Sequence, residues 1–288
     1  MPGGIRSNPR TGWGSLVNRM LLAAPYAMIN GLGFQPSQLV CAAEDAAYSP
    51  HCFFQPLSNC GQIVRVEFDR WPLHNYYEVG EEEVVRACHT AATVLGVAAP
   101  SCNSSQLQAW RMIARLVLRV QPDVEERIHA VHLRGLPWAG GRFAAMHIRR
   151  TDKRIEAKPV AECTYASRLE QLCGDKCSEL DVFVATDDLR VIDGVRKCEA
   201  TARHSWRLRH FESDPGRGNS RAVVYRLYAE LTLMSRAEWV VGTFSSNFGR
   251  VTQLLRWQAE ESMASVDDGC IGADKNCPHN KLWHPARR

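Results

Sequence analysis

Two guanidiniums, a carboxylate and an ammonium follow an apolar run without a break in the segment HIRRTDK, His147 to Lys153. Arginine presents a planar fork of donors that fits phosphate oxygens and keeps its charge at any workable pH. At a stiff strand end, Arg149 and Arg150 would be held ready before an anion arrived. Taken alone, the segment also reads as a salt-bridged turn in which Asp152 neutralises its neighbours.

A second cluster, TFSSNFGR from Thr243 to Arg250, has the pattern of strand end, turn and helix start. Ser245, Ser246 or Asn247 can cap that helix, and the free N–H groups of a helix N-terminus attract anions. Capping needs no ligand, but a Ser-Ser-Asn cluster with an arginine one turn later also suits a second phosphate contact. The third cluster is Thr186-Asp187-Asp188. Adjacent carboxylates after a strand point in opposite directions, which does not suit joint chelation of a cation. One of them reads as a helix cap or loop brace and the other as a ligand contact. With two arginines available to offset phosphate charge, no divalent metal is required.

Glu230 shares the apolar stripe of a predicted helix (Ala222 to Ala237) with Val223, Leu227, Leu231 and Met234. A buried carboxylate needs a partner. Two candidates stand: the paired N–H edge of a guanine ring, or a structural arginine, Arg226 or Arg250.

The elements that must position these groups follow from hydrophobic pattern. Phe143–Ile148, Asp181–Ala185 and Glu238–Val241 are short apolar runs separated by helical stretches. Near-continuous apolar strands alternating with helices predict a parallel, doubly wound α/β sheet. Ligands bind such sheets beyond the carboxyl ends of the strands. All three polar clusters fall there. Upstream, the pattern predicts a strand over Gln62–Phe68 and helices over about 81–96, 106–120 and 124–131. On the second of these, Arg111, Arg115 and Arg119 form a row read as a solvated face. Gly135, Pro137, Gly140 and Gly141 read as a linker, dividing the chain into lobes 1–140 and 141–288.

The net charge of +4 fits a local anion pocket and gives little support to an extended nucleic-acid surface. Eleven cysteines exceed the needs of a reduced compartment. Cys173 with Cys177 and Cys270 with Cys277 suggest local disulfides in an oxidising lumen, with free buried cysteines as the competing reading. No run is long and apolar enough to span a membrane. Leu16 to Gly31, interrupted by Asn18, Arg19 and Pro25, lacks the plan of a signal peptide.

Taken in order, HIRRTDK, FVATDD and TFSSN resemble segments of the alpha-1,6-fucosyltransferase family, of the core and nodulation fucosyltransferase type. GWGSLVNRM is similar to that family's N-terminal glycine loop. CFFQPLSNC, WRMIARLVLRVQP and SVDDGCIGADKNCPHN resemble further family segments, the last of them near its close. The stem coiled coil, membrane anchor and SH3-like domain of the animal enzymes have no counterpart in these segments. The resemblance implies a two-lobed, GT-B-like enzyme with a Rossmann-like C-terminal lobe. Its donor would be GDP-fucose, used without a metal or other cofactor. The acceptor would be a core N-acetylglucosamine of N-glycans or a chito-oligosaccharide, and the compartment the Golgi lumen. A protein O-fucosyltransferase, or a nucleotide-sugar-binding protein without turnover, are the alternatives.

Carried over residue by residue, Arg149 would hold the donor β-phosphate with Arg150 in support, and His147 and Glu230 would read guanine. The family has Asp where this chain has Glu230. Ser246 and Asn247 would touch phosphate, although animal members have Gln at the second position. Tyr165, Asp187 and Asp188 would lie near the donor, as would Gly12 and Gly14 of the glycine loop. Glu156 falls where the family has its proposed catalytic base, organised by Asp152 and Lys153. The loop from Arg154 to Lys158 departs from the family in length or detail.

Overall fold

The structure is a computed structural model. It describes residues 80–134, 136, 140–150, 159–212, 221–244 and 246–267, together with residues 17, 21, 24, 25, 28, 29, 33–35 and 63–65. The chain divides into two compact units: Met1–Arg127 with Arg217–Tyr225 and Lys275–Arg288, and Ile128–Gly216 with Arg226–Asp274.

In the first unit, strands β1 (Gly33–Gln35) and β2 (Ile63–Arg65) pair in parallel. Helix α1 (Glu81–Leu95) opens on three glutamates, which suit the positive end of the helix dipole, and stops at Gly96 in the left-handed conformation, φ 66°. Helix α2 (Gln106–Val117) is capped by the Ser105 hydroxyl, which accepts from the Gln108 N–H at 3.2 Å. The Cys88–Cys102 disulfide ties α1 to the turn before α2. The arginine row of α2 is not the solvated face expected of it. Arg111 is buried, and burial also lowers the Arg115 pKa. Most of α2 is covered, from Leu107 and Trp110 round to Met112 and Leu116, and Arg115 is itself half-buried.

The second unit begins with the end of α3 (Pro122–Ile128), which continues as a wider turn over His129–Leu133. Its centre is a five-stranded parallel sheet of β3 (Phe143–Ile148), β4 (Asp181–Thr186), β5 (Arg207–Arg209), β6 (Trp239–Gly242) and β7 (Met263–Ser265). Their spatial order is β5-β4-β3-β6-β7. The chain builds outward from β3 through β4 to β5, then returns to the other side of β3 to lay down β6 and β7. The strand order therefore reverses between β3 and β6, and a reversal of this kind opens a crevice beyond the carboxyl ends of the two strands.

Every residue of β3, β4 and β6 is buried, as expected for a sheet covered on both faces. One face of β3 (Ala144, Met146, Ile148) packs with Val182, Val184 and Val241 against Tyr165, Ala166 and Leu169 of α4 (Glu162–Cys173). Helices α5 (Arg190–Arg196) and α6 (Glu199–Arg203) extend this layer, and the disulfides Cys163–Cys198 and Cys173–Cys177 fasten it. Helix α7 (Arg221–Arg236) starts in the first unit and continues in the second, and α8 (Asn247–Leu255) follows β6. Arg256, 1% exposed, donates to the carbonyls of Met234, Ala237 and Glu238 at 3.1, 2.7 and 3.1 Å. It thereby satisfies acceptors that the end of α7 would otherwise bury unpaired.

Candidate functional site

The register of the sheet brings the carboxyl ends of β3, β4 and β6, where the three polar clusters begin, to one level. His147 and Ile148 pair with Ala185 and Thr186, while Met146 pairs with Val241, so β3, β4 and β6 end side by side.

The twin arginines diverge on leaving β3. Arg150 turns inward and is 6% exposed; its Nη2 and Nε donate to Glu162 Oε1 at 2.6 and 3.2 Å. Arg149 keeps a third of its side chain exposed, with Nε 4.0 Å from Asp187 Oδ2. Asp187 also accepts the Arg150 N–H at 2.7 Å, so one carboxylate braces the backbone of the arginine loop and flanks its exposed guanidinium. Asp188 faces the other way, accepting from the Arg190 N–H at 3.1 Å and its guanidinium at 2.7 Å. Of the adjacent pair, one aspartate therefore serves the loop and the other the start of α5.

Glu162 carries no signal in sequence, because a glutamate in the first turn of a helix is ordinary. Burial pushes its carboxyl up, but the Arg150 hydrogen bond, its own backbone N–H and the Arg150 charge outweigh that, leaving it lowered. Tyr165, one turn further along α4, is 2% exposed, and its phenol is pushed up to about 12. Burial is the main cause, with Arg150 acting in the opposite direction and Asp267 and Glu162 adding to it.

The turn after β6 is held from three sides. The Phe244 N–H donates to Ser265 Oγ at 3.0 Å and to Asp267 Oδ1 at 2.9 Å, and its carbonyl accepts from Arg250 Nε at 2.6 Å. Gly249 permits the closeness, since a Cβ there would sit 2.3 Å from the Thr243 carbonyl oxygen. Ser246 occupies the N-cap position of α8 with extended backbone, φ −91° and ψ 132°, yet its side chain caps nothing. It is 1% exposed and its Oγ has no hydrogen-bond partner among the described residues. Asn247 follows as the first residue of α8 and is half-buried.

His147, 6% exposed, stacks on Phe248 at 4.5 Å between ring centroids and 27° between planes. Glu230 on α7 is 4% exposed and accepts from Arg226 Nε at 2.8 Å. Its carboxyl is pushed up to about 7 by burial, which Arg226 opposes and the charge of Asp187 reinforces. The Arg226 guanidinium lies 4.3 Å from the ring centroid of Phe211, which meets Phe183 edge-on at 5.4 Å. The structural partner of Glu230 is thus Arg226 and not Arg250, whose Nε serves the turn after β6.

Gly12, Gly14, Asp152, Lys153 and Glu156 lie outside the described residues, as do Cys270 and Cys277. Among the described residues, no group of three or more His, Cys, Asp or Glu is arranged to hold a metal ion. No described helix is long and apolar enough to cross a membrane.

No protein-family profile and no curated protein matches the chain. Solved structures do. The fucosyltransferase NodZ from Bradyrhizobium is 16% identical over 86% of this chain and 90% of its own, with a TM-score of 0.46. NodZ alpha-1,6-fucosyltransferase soaked with GDP-fucose is 17% identical over the same shares, with a TM-score of 0.43. POFUT1 in complex with GDP-fucose is 18% identical over 55% of this chain, with a TM-score of 0.40. The chain spans about half the length of the POFUT1 chain it matches, 49%.

Proposed function

We propose that the second unit binds the nucleotide of a GDP-sugar and that the chain is an inverting fucosyltransferase. The observation that carries the first part is Ser246: a buried hydroxyl without a hydrogen-bond partner among the described residues, at the N-terminus of α8, where the strand order reverses. A buried polar atom left unpaired costs free energy unless a ligand completes it. A helix N-terminus supplies further N–H donors and positive potential to the same ligand. Arg149 emerges from the other strand of the reversal with its guanidinium partly exposed, which suits it to one phosphate of a diphosphate. Arg150 supports the loop from within.

Glu230 and His147 supply the base edge. An ionised carboxylate beside Arg226 can accept both the N1–H and the exocyclic amine of guanine, whereas adenine offers it no such pair of donors. Asp187 and Tyr165 belong to the support of this site, and Asn247 to its phosphate rim. Gly12 and Gly14 are assigned to the donor by the family resemblance alone.

In the reaction, the acceptor hydroxyl attacks C1 of fucose on the face opposite the diphosphate. The C1–O bond breaks with its electron pair leaving on GDP, and the hydroxyl proton passes to a base. The resemblance assigns that base to Glu156, with Asp152 and Lys153 beside it. Arg149 and the α8 N-terminus stabilise the charge that grows on the departing diphosphate, so the step does not call for a metal. The acceptor is assigned, again from the resemblance, as a core N-acetylglucosamine or a chito-oligosaccharide. The disulfides fit an oxidising lumen such as the Golgi.

Titration with GDP, ADP and UDP, followed by GDP-fucose with N-glycan, chito-oligosaccharide and peptide acceptors, tests the proposal. GDP is expected to bind best and the glycan acceptors to be fucosylated at an EDTA-insensitive rate. Binding of GDP no tighter than ADP would remove the guanine reading. Transfer to peptide hydroxyls alone would make the chain a protein O-fucosyltransferase, and binding without turnover a nucleotide-sugar-binding protein.

A further inference from the structure

The Arg150 guanidinium is buried with its Nε and Nη2 both on Glu162, while the side chain of its neighbour Arg149 keeps a third of its surface exposed. Glu162 in turn sits in a space made for it. Gly194 of α5 lies so close that a Cβ there would be 2.9 Å from Glu162 Cγ and 3.2 Å from Cδ. The adjacent Cys163 is bonded to Cys198, which fixes the first turn of α4 to the segment between α5 and α6. A glycine and a disulfide thus set where one carboxylate stands, and that carboxylate sets where Arg150 stands. Because Arg149 and Arg150 share a peptide bond, fixing Arg150 fixes the backbone from which Arg149 reaches out.

We infer that Glu162 is a positioning residue for donor binding: through Arg150, and with Gly194 packed behind it, it holds Arg149 where a diphosphate is gripped. The inference rests on the nucleotide reading above. Glu162 touches no donor itself. Asp187 shares the task by accepting the Arg150 N–H, but it also flanks Arg149 directly, so its loss would not separate positioning from contact. Glu162 and Gly194 do separate them, because Glu162 bonds Arg150 and Gly194 packs on Glu162.

The test uses the full chain and GDP as probe. Glu162→Gln keeps the volume and removes the charge that orients Arg150. It is expected to weaken GDP binding about tenfold, the effect of losing one charged hydrogen bond. The KM for the donor should rise with it while the KM for the acceptor stays unchanged. Gly194→Ala should weaken GDP binding in the same direction by displacing Glu162. The double variant should be no worse than the worse single, since both act through one side chain. Glu162→Asp should recover part of the loss, because a carboxylate one methylene shorter still attracts Arg150.

Unchanged GDP affinity in Glu162→Gln would overturn the inference, and so would equal rises in donor and acceptor KM, which mark general loosening. If Glu162→Gln does not fold, Gly194→Ala decides alone: unchanged GDP affinity there also overturns it. Failure of the wild-type chain to bind GDP would instead overturn the nucleotide reading on which the inference stands.

Discussion

Glu230 is held by the fold through Arg226, and the proposed guanine contact makes a second demand on the same carboxyl. Its carboxyl, ordinarily near 4.5, is pushed up to about 7 because burial removes the water that would solvate its charge. A pKa raised on folding means the native state holds the proton more tightly than the unfolded chain. This contribution to stability is therefore complete below about pH 4.5 and is lost as pH rises through 7. A guanine ring needs the opposite form, since only the ionised carboxylate accepts two N–H donors. GDP affinity is therefore expected to rise from pH 5 to 7, by up to about tenfold per unit, and then to level off. Glu230→Gln should flatten that profile and narrow the preference for GDP over ADP, both measurable by calorimetric titration. A wild-type affinity independent of pH would separate Glu230 from the base edge. At this scale the sequence was informative wherever the residue type was unusual for its place. The twin arginines after an apolar run and the carboxylate on an apolar stripe stand out from composition alone. Glu162, Gly194 and Asp267 do not, because a helix-start glutamate, a helical glycine and a loop aspartate are ordinary until the fold brings partners to them.

The elements were legible for the same reason that their edges were not. Phe143–Ile148 is buried on both faces, so its apolar run is continuous and marks a central strand whose bounds match the expected ones. The edge strands β5 and β7 are three residues each, and Arg207-Leu208-Arg209 lies under no continuous apolar run. Their pairing is decided by the neighbouring strand, which local pattern does not contain. The arginine row failed as a solvated face because Arg111 is buried and Arg115 and Arg119 are half-buried, on and just after a helix most of whose residues are covered. Helix α8 shows what an element does for the site beyond presenting its first turn. Its approach to the end of β6 is close enough that Gly249 is the only residue type that fits without movement. Gly249→Ala would place a methyl group against the Thr243 carbonyl, which cannot retreat while Arg250, Ser265 and Asp267 hold the next residue. The expected cost is about 1–3 kcal/mol of stability in denaturant unfolding, as for other overpacked sites. GDP binding should suffer disproportionately, since it is the α8 N-terminus that is pushed away. An alanine variant as tight for GDP as wild type would show that the approach of α8 serves packing alone.

For the whole molecule the question is which compartment the fold is built for. Three disulfides lie among the described residues, Cys88–Cys102, Cys163–Cys198 and Cys173–Cys177, and they belong to different elements of both units. Only the last was visible in sequence, because four residues apart is a spacing that suggests a bridge, whereas partners 14 and 35 residues apart are indistinguishable from other cysteines. A cross-link stabilises chiefly by restricting the unfolded chain, more so for a longer loop. By that rule Cys163–Cys198, closing 35 residues, contributes roughly 4 kcal/mol and the shorter loops less. Replacing Cys163 and Cys198 by serine should therefore lower Tm by several degrees in a thermal melt without reductant, and dithiothreitol should lower the wild-type Tm further. The same double variant bears on donor binding, because Cys163 neighbours Glu162 on the turn that orients Arg150. Its GDP affinity is expected to fall even at temperatures where it is fully folded. A chain whose Tm ignores reductant would have cysteines that act as small apolar residues, and the argument for an oxidising lumen would go with them. A chain that loses Tm but keeps GDP affinity would retain its compartment and show that the arginine loop is held by Glu162 and Asp187 without the cross-link behind them.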